Sequence, residues 1–173
     1  VIGNNYTGGV IGKTFFRDTR RTEFITINDS TIVGKGNYVG GMYGESYNVV
    51  KSKATNVKVE GYGDNIGGIS GSSNQNECFI YDSYVKGLGA NSNNVGGLFG
   101  VMKYASTAFK VVGTKVSTTG SNVGSCFGVT KASTNNIIAI DCEVEGYSNA
   151  GGNIGKLESG NVKHVYNNSN VIS

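Results

Sequence analysis

Six near-copies of one short glycine-rich phrase run through the chain: NYTGGVIG (5–12), NYVGGMYG (37–44), NIGGISG (65–71), NVGGLFG (94–100), NVGSCFG (122–128) and NAGGNIG (149–155). Their leading glycines are Gly8, Gly40, Gly67, Gly96, Gly124 and Gly151, which gives steps of 32, 27, 29, 28 and 27 residues. Periods of ~20–50 residues mark solenoids and arrays, in which one unit cannot close a core alone and buries its apolar face against copies of itself. Few other folds are open to a chain of 173 residues written this way.

The second half of each unit carries a weaker pattern. Aligning the units places Ser30, Thr55, Ser83, Thr114, Cys142 and Ser169 in one column. Two residues on lies an aliphatic column of Ile32, Val57, Val85, Val116, Val144 and Val171. Spacing by two puts side chains on one face of a strand, so this second column is expected to be the sealed core. Helix competes poorly, because β-branched residues dominate the apolar positions and glycines interrupt every possible apolar stripe. The expectation is an all-β parallel β-solenoid of about six coils with almost no helix. It forms one repeat domain over 1–173, with coils near 8–39, 40–66, 67–95, 96–123, 124–150 and 151–173. A rise of ~4.8 Å per coil makes the whole a rod about 30 Å long.

In that setting the remaining motif glycines, Gly9, Gly12, Gly41, Gly44, Gly68, Gly71, Gly97, Gly100, Gly128, Gly152 and Gly155, serve as corner residues. They allow either positive φ or a close approach between stacked backbones. Asn65, Asn94, Asn122 and Asn149 precede them; asparagine tolerates the left-handed region and can pass its amide from coil to coil.

Chemistry-bearing constellations are sparse. The lone His164 excludes a two-histidine zinc motif, and Cys78, Cys126 and Cys142 lack metal or redox spacing and read as small buried residues. Asp29, Asp82 and Asp141 fall in one column, with Ala54 and Gly113 in the coils between them, so they lie two coils, ~10 Å, apart and cannot share a proton or a metal. No copy has an aspartate shortly after its glycine pair, as a calcium-binding solenoid would, and threonines are too scattered for an ice-binding array. No catalytic, metal or cofactor site is expected.

The net charge of +3 is dispersed apart from Arg17, Arg20 and Arg21, which argues against nucleic acid as a partner, and no apolar run is long enough to insert in a membrane. Those arginines lie in 13–23, the segment that lengthens the first unit, together with Phe15 and Phe16. Read as a protruding loop, it is the candidate contact for a partner. Tyr43, Tyr47 and Tyr104 are candidate exposed aromatics.

The core Gly97-Leu98-Phe99-Gly100 resembles the GLUG repeat, named for glycine, leucine, a hydrophobic residue and glycine. Val10, Met42, Ile69, Cys126 and Asn153 stand at the leucine position of the other copies, and Ser125 replaces a glycine. That family occurs in large bacterial cell-surface proteins, including adhesin-like proteins and IgA-cleaving metallopeptidases of Gram-positive bacteria. The resemblance implies an extracellular, non-catalytic spacer or presentation module, without peptidase chemistry. Joined tail to head, NNSNVIS and VIGNNYTGG repeat the internal pattern, so either flanking repeats or identical subunits stacked end to end are the expected partners. The chain opens at Val1 and reads as an excised or processed piece. The alternative is an adhesin domain that binds a host glycan or protein through the 13–23 loop or surface tyrosines.

Overall fold

The computed structural model describes residues 1–14, 22–47 and 49–173. Among them there is no helix, and the strands form a fourteen-stranded and a six-stranded sheet in which neighbours run parallel. The molecule is a β-solenoid of about six turns with a period near 28 residues. One coil shows the plan: Gln75–Tyr81, Tyr84–Gly87 and Val95–Gly96 lie in the large sheet, and Phe99–Met102 lies in the small one. Each strand bonds to its equivalents in the coils above and below.

The bends are made by single residues in the left-handed conformation. Every non-glycine residue with positive φ, among those described, falls in one of three columns. The first is Phe24, Lys51, Glu77, Ala108, Asn136 and His164; the second is Asp29, Asn56, Asp82 and Asp141, with Gly113 in the same file; the third is Tyr6, Tyr38, Asn65, Asn94, Asn122 and Asn149. One such residue between two extended ones turns the chain sharply, at a cost of ~1–2 kcal/mol unless the side chain suits the conformation. The second and third columns are mostly Asn and Asp, which bear that cost best.

Between the bends, alternate residues point inward. Ile32, Val57, Val85, Val116 and Val144 are buried, but the column they belong to differs from the sequence alignment. Ile32 pairs with Val59, which pairs with Val85, so Val59 holds the place expected for Val57. Val57 instead pairs with Ser30, where Thr55 was expected. Either register puts valine inward, because both valines share a face; the corner at Asn56 opposite Asp29 decides between them. Val171 is the second departure: it stacks on Val144 in the outermost described coil and is 39% exposed.

The leucine position of the repeat is a core column. Met42, Ile69, Leu98 and Cys126 are fully buried and Asn153 nearly so, while Val10, in the first coil, is half exposed. Mid-solenoid, the rings of Phe99, Phe109 and Phe127 form an aromatic core with centroids 5.0–5.8 Å apart. One coil earlier the same space is polar. Ser46 hydrogen-bonds Ser70 and Ser73, Gln75 Nε2 donates to Ser46, and Ser52 and Cys78 donate to Gln75 Oε1, all buried. A buried polar group is tolerated when it is bonded, and this cluster bonds within itself.

Candidate functional site

The motif glycines act by close approach. None of them has positive φ; among the described glycines only Gly113 and Gly160 do. A Cβ on Gly97 would run into the carbonyl oxygen of Ser125 in the next coil. One on Gly100 would lie 2.5 Å from both the Asn65 carbonyl carbon and the Ile66 nitrogen. The closing glycines Gly44, Gly71, Gly128 and Gly155 likewise face backbone of the third corner column or of the residue after it. The small sheet is thus pressed against that corner, and this contact builds the groove described next.

The third column runs along the outside as a ladder. Asn94 Nδ2 donates to Asn65 Oδ1 at 2.9 Å, Asn122 to Asn94 at 2.8 Å and Asn149 to Asn122 at 2.8 Å. In the first two coils tyrosines replace the amides, and Tyr6 and Tyr38 stack in parallel 5.0 Å apart. Lys13 lies over the Tyr6 ring.

Beside the ladder are two lysine–glutamate–lysine clusters. Glu45, buried on the small sheet, is 2.8 Å from Lys13 and 2.6 Å from Lys103. Burial works to raise its carboxyl pKa, and the two ammonium groups outweigh it, so the value falls below the ordinary range. Burial lowers Lys103 and Glu45 raises it, with a net rise. Glu158 is 3.2 Å from Lys131 and 3.4 Å from Lys156 and is lowered chiefly by Lys131. Between the clusters lies a groove of about 440 Å³, lined by Tyr38, Asn65, Asn94, Val101, Lys103, Tyr104 and Lys131. Sequence columns do not reveal it, because Lys103 reaches Glu45 across two coils, 58 residues away.

The other candidates are structural in position. Asp29, Asp82 and Asp141 occupy bends of the second column, with Asn56, in place of the expected Ala54, donating to Asp29 at 2.6 Å. His164 stands in the first bend column above Asn136, 3.2 Å from its Oδ1. Cys78, Cys126 and Cys142 are buried free thiols whose pKa burial raises. Of the three tyrosines, Tyr43 is fully buried, with its phenol pushed up to about 12, while Tyr104 is half exposed. Tyr43 was misjudged because its neighbour Gly44 is the side of the strand that packs on the corner. Arg17, Arg20 and Arg21, with Phe15 and Phe16, lie outside the described residues.

No family model, curated protein or solved structure matches the chain.

Proposed function

We propose that the chain is a non-catalytic structural repeat module, a stalk or filament-forming segment of a bacterial surface protein that works by stacking coil upon coil. One observation carries this reading: both ends of the described solenoid are open. At one end Val1, Ile2, Val10 and Phe24 are exposed; at the other, Leu157, Val165, Tyr166, Val171 and Ile172 are. Among the described residues the outermost strand, Val162–Ile172, pairs only with Thr134–Gly151. Val165 continues the column of Ile137, Phe109 and Cys78, all of which are sealed by coils on either side.

A further coil would seal the inward-facing Val165 and Val171, which continue the buried columns of Ile137 and Val144, at roughly 1–2 kcal/mol apiece and would cover an edge that otherwise invites indiscriminate pairing. Flanking repeats or an identical subunit stacked end to end can supply it. The second kind of contact is heterologous and extends into a filament. The extracellular, bacterial-surface setting rests on the GLUG resemblance of the repeat.

The test is to append a second copy of residues 147–173 after Ser173, which continues the register because Ser173 follows Ile172, the partner of Glu145, and to image the original chain by electron microscopy over a concentration series. A higher melting temperature for the extended chain, or fibres of the original that shorten when Val165 and Val171 are both replaced by lysine, supports the reading. An extended chain that melts no higher, with single short rods at every concentration, refutes it.

A further inference from the structure

We infer that the groove between the two lysine–glutamate–lysine clusters binds an acidic oligosaccharide, a glycan bearing carboxylate or sulfate groups, laid along the coil axis. This goes beyond the stacking role, which uses the ends of the solenoid and leaves its sides free.

Five features converge. Lys103 and Lys131 bring two ammonium groups to the groove, and no carboxylate lines it among the described residues. Glu45 and Glu158 each divide their charge between two lysines, so neither neutralises its groove lysine completely. The Lys103 ammonium is already positioned, 2.6 Å from Glu45 and near the rings of Tyr38 and Tyr47, so little ordering remains to be done on binding. Asn65 and Asn94 present amides one coil apart, Asn94 donating to Asn65 and accepting from Asn122, as a wall for hydroxyl groups, since a side-chain amide offers both donors and acceptors. Tyr104, 49% exposed, and Val101 supply an aromatic face and an apolar floor for the C–H face of a sugar ring.

The volume of about 440 Å³ falls within the ~300–1,000 Å³ usual for small-ligand sites. A nucleic acid would call for a longer basic track than two lysines. A neutral sugar would leave the ammonium groups unused.

The test is calorimetric titration with four probes: tetragalacturonate, a heparin-derived tetrasaccharide, neutral maltotetraose and an eight-residue thymidine oligonucleotide. The variants are Lys131→Gln, Tyr104→Ala and, as a control outside the groove, Lys163→Gln, each checked for an unchanged melting curve. Binding of at least one acidic tetrasaccharide, weakened about tenfold or more by Lys131→Gln or Tyr104→Ala, insensitive to Lys163→Gln and declining with salt, supports the inference. Binding of tetragalacturonate shows that carboxylates suffice, and binding of the heparin-derived tetrasaccharide alone, which carries both groups, shows that sulfate is required. The inference is overturned if neither binds at millimolar concentration, if maltotetraose or the oligonucleotide binds as well as they do, or if Lys163→Gln is as damaging as Lys131→Gln.

Discussion

Gly100 and Gly113 put the role of the repeat glycines to a direct test, because one is required by space and the other by conformation. At Gly100 an added methyl would meet the Asn65 carbonyl carbon at 2.5 Å, the Ile66 nitrogen at 2.5 Å and the Asn65 Cα at 2.7 Å. All three are backbone atoms, so no rotamer change relieves the clash, and the strand Phe99–Met102 must move out by most of an ångström. It cannot do so without disturbing its pairing with Ser70–Ser73 and Phe127–Thr130. Overpacking of this kind costs ~1–3 kcal/mol. One or two buried backbone groups left without partners add ~1–3 kcal/mol each, against which the loss of chain entropy in the unfolded state returns less than ~1 kcal/mol. Gly100→Ala should therefore destabilise the protein by about 3–5 kcal/mol, which lowers the melting temperature by on the order of 10 °C for a chain of this length. Gly113 has φ +57 in the bend column otherwise filled by Asp and Asn, and an added Cβ there would meet only the side chain of Asp82 within 3 Å. Gly113→Asn should leave the stability unchanged or raise it by a few tenths of a kcal/mol. Thermal and urea unfolding followed by circular dichroism reads both. Near-equal midpoints for the two variants, or a Gly100→Ala loss under ~1 kcal/mol, would refute the close-approach argument.

The remaining predictions concern the ladder, the buried carboxylate and the thiols. Asn94→Ala removes two amide hydrogen bonds and leaves a left-handed bend to alanine, for a loss of ~2–3 kcal/mol, while Asn94→Gly keeps the bend and should lose about half as much; denaturant titration of both variants separates ladder from backbone. Because the Glu45 carboxyl is lowered in the folded state, its contribution is complete above its unfolded value of 4.5 and is lost as pH falls through the lower folded value. Melting temperature should therefore drop below about pH 4.5 in the native chain, and drop less in Glu45→Gln over the same range. Cys78, Cys126 and Cys142 should resist a maleimide reagent until the protein unfolds, so mass spectrometry should show labelling only in denaturant; labelling of Cys78 or Cys126 in the native state would contradict their burial.

What the sequence made legible, and what it hid, follows from how a solenoid is held together. The period and the inward alternation are local properties, and they suffice for the fold, because each coil needs only to match the coil on either side. Register is another matter. Val57 and Val59 share a face, so an apolar column fits either one, and the deciding marks were the bend at Asn56 and the glycines two residues beyond the core column, Gly34, Gly61, Gly87 and Gly146. A Cβ on these glycines would strike Val39, Ile66, Ser92 with Thr118, and Val123 respectively, so their alignment carries steric information that the valines lack. The first bend column stayed hidden for the opposite reason. Phe24, Lys51, Glu77 and Ala108 have no preference for the left-handed region, and they adopt it because the strands on both sides are fixed by neighbouring coils. The same nearest-neighbour logic allows Ser70, Ser72 and Ser73 to stand in the columns of Phe99, Val101 and Met102, so that a polar core passes into an aromatic one within a single coil. It also explains why the groove escaped notice. Its chemistry depends on Lys103 crossing two coils to Glu45, a diagonal contact that links positions in different columns and leaves no trace in the period. In a repeat fold the regular residues specify the scaffold, and binding chemistry is therefore to be sought where side chains of different columns, brought together by stacking, depart from the repeat.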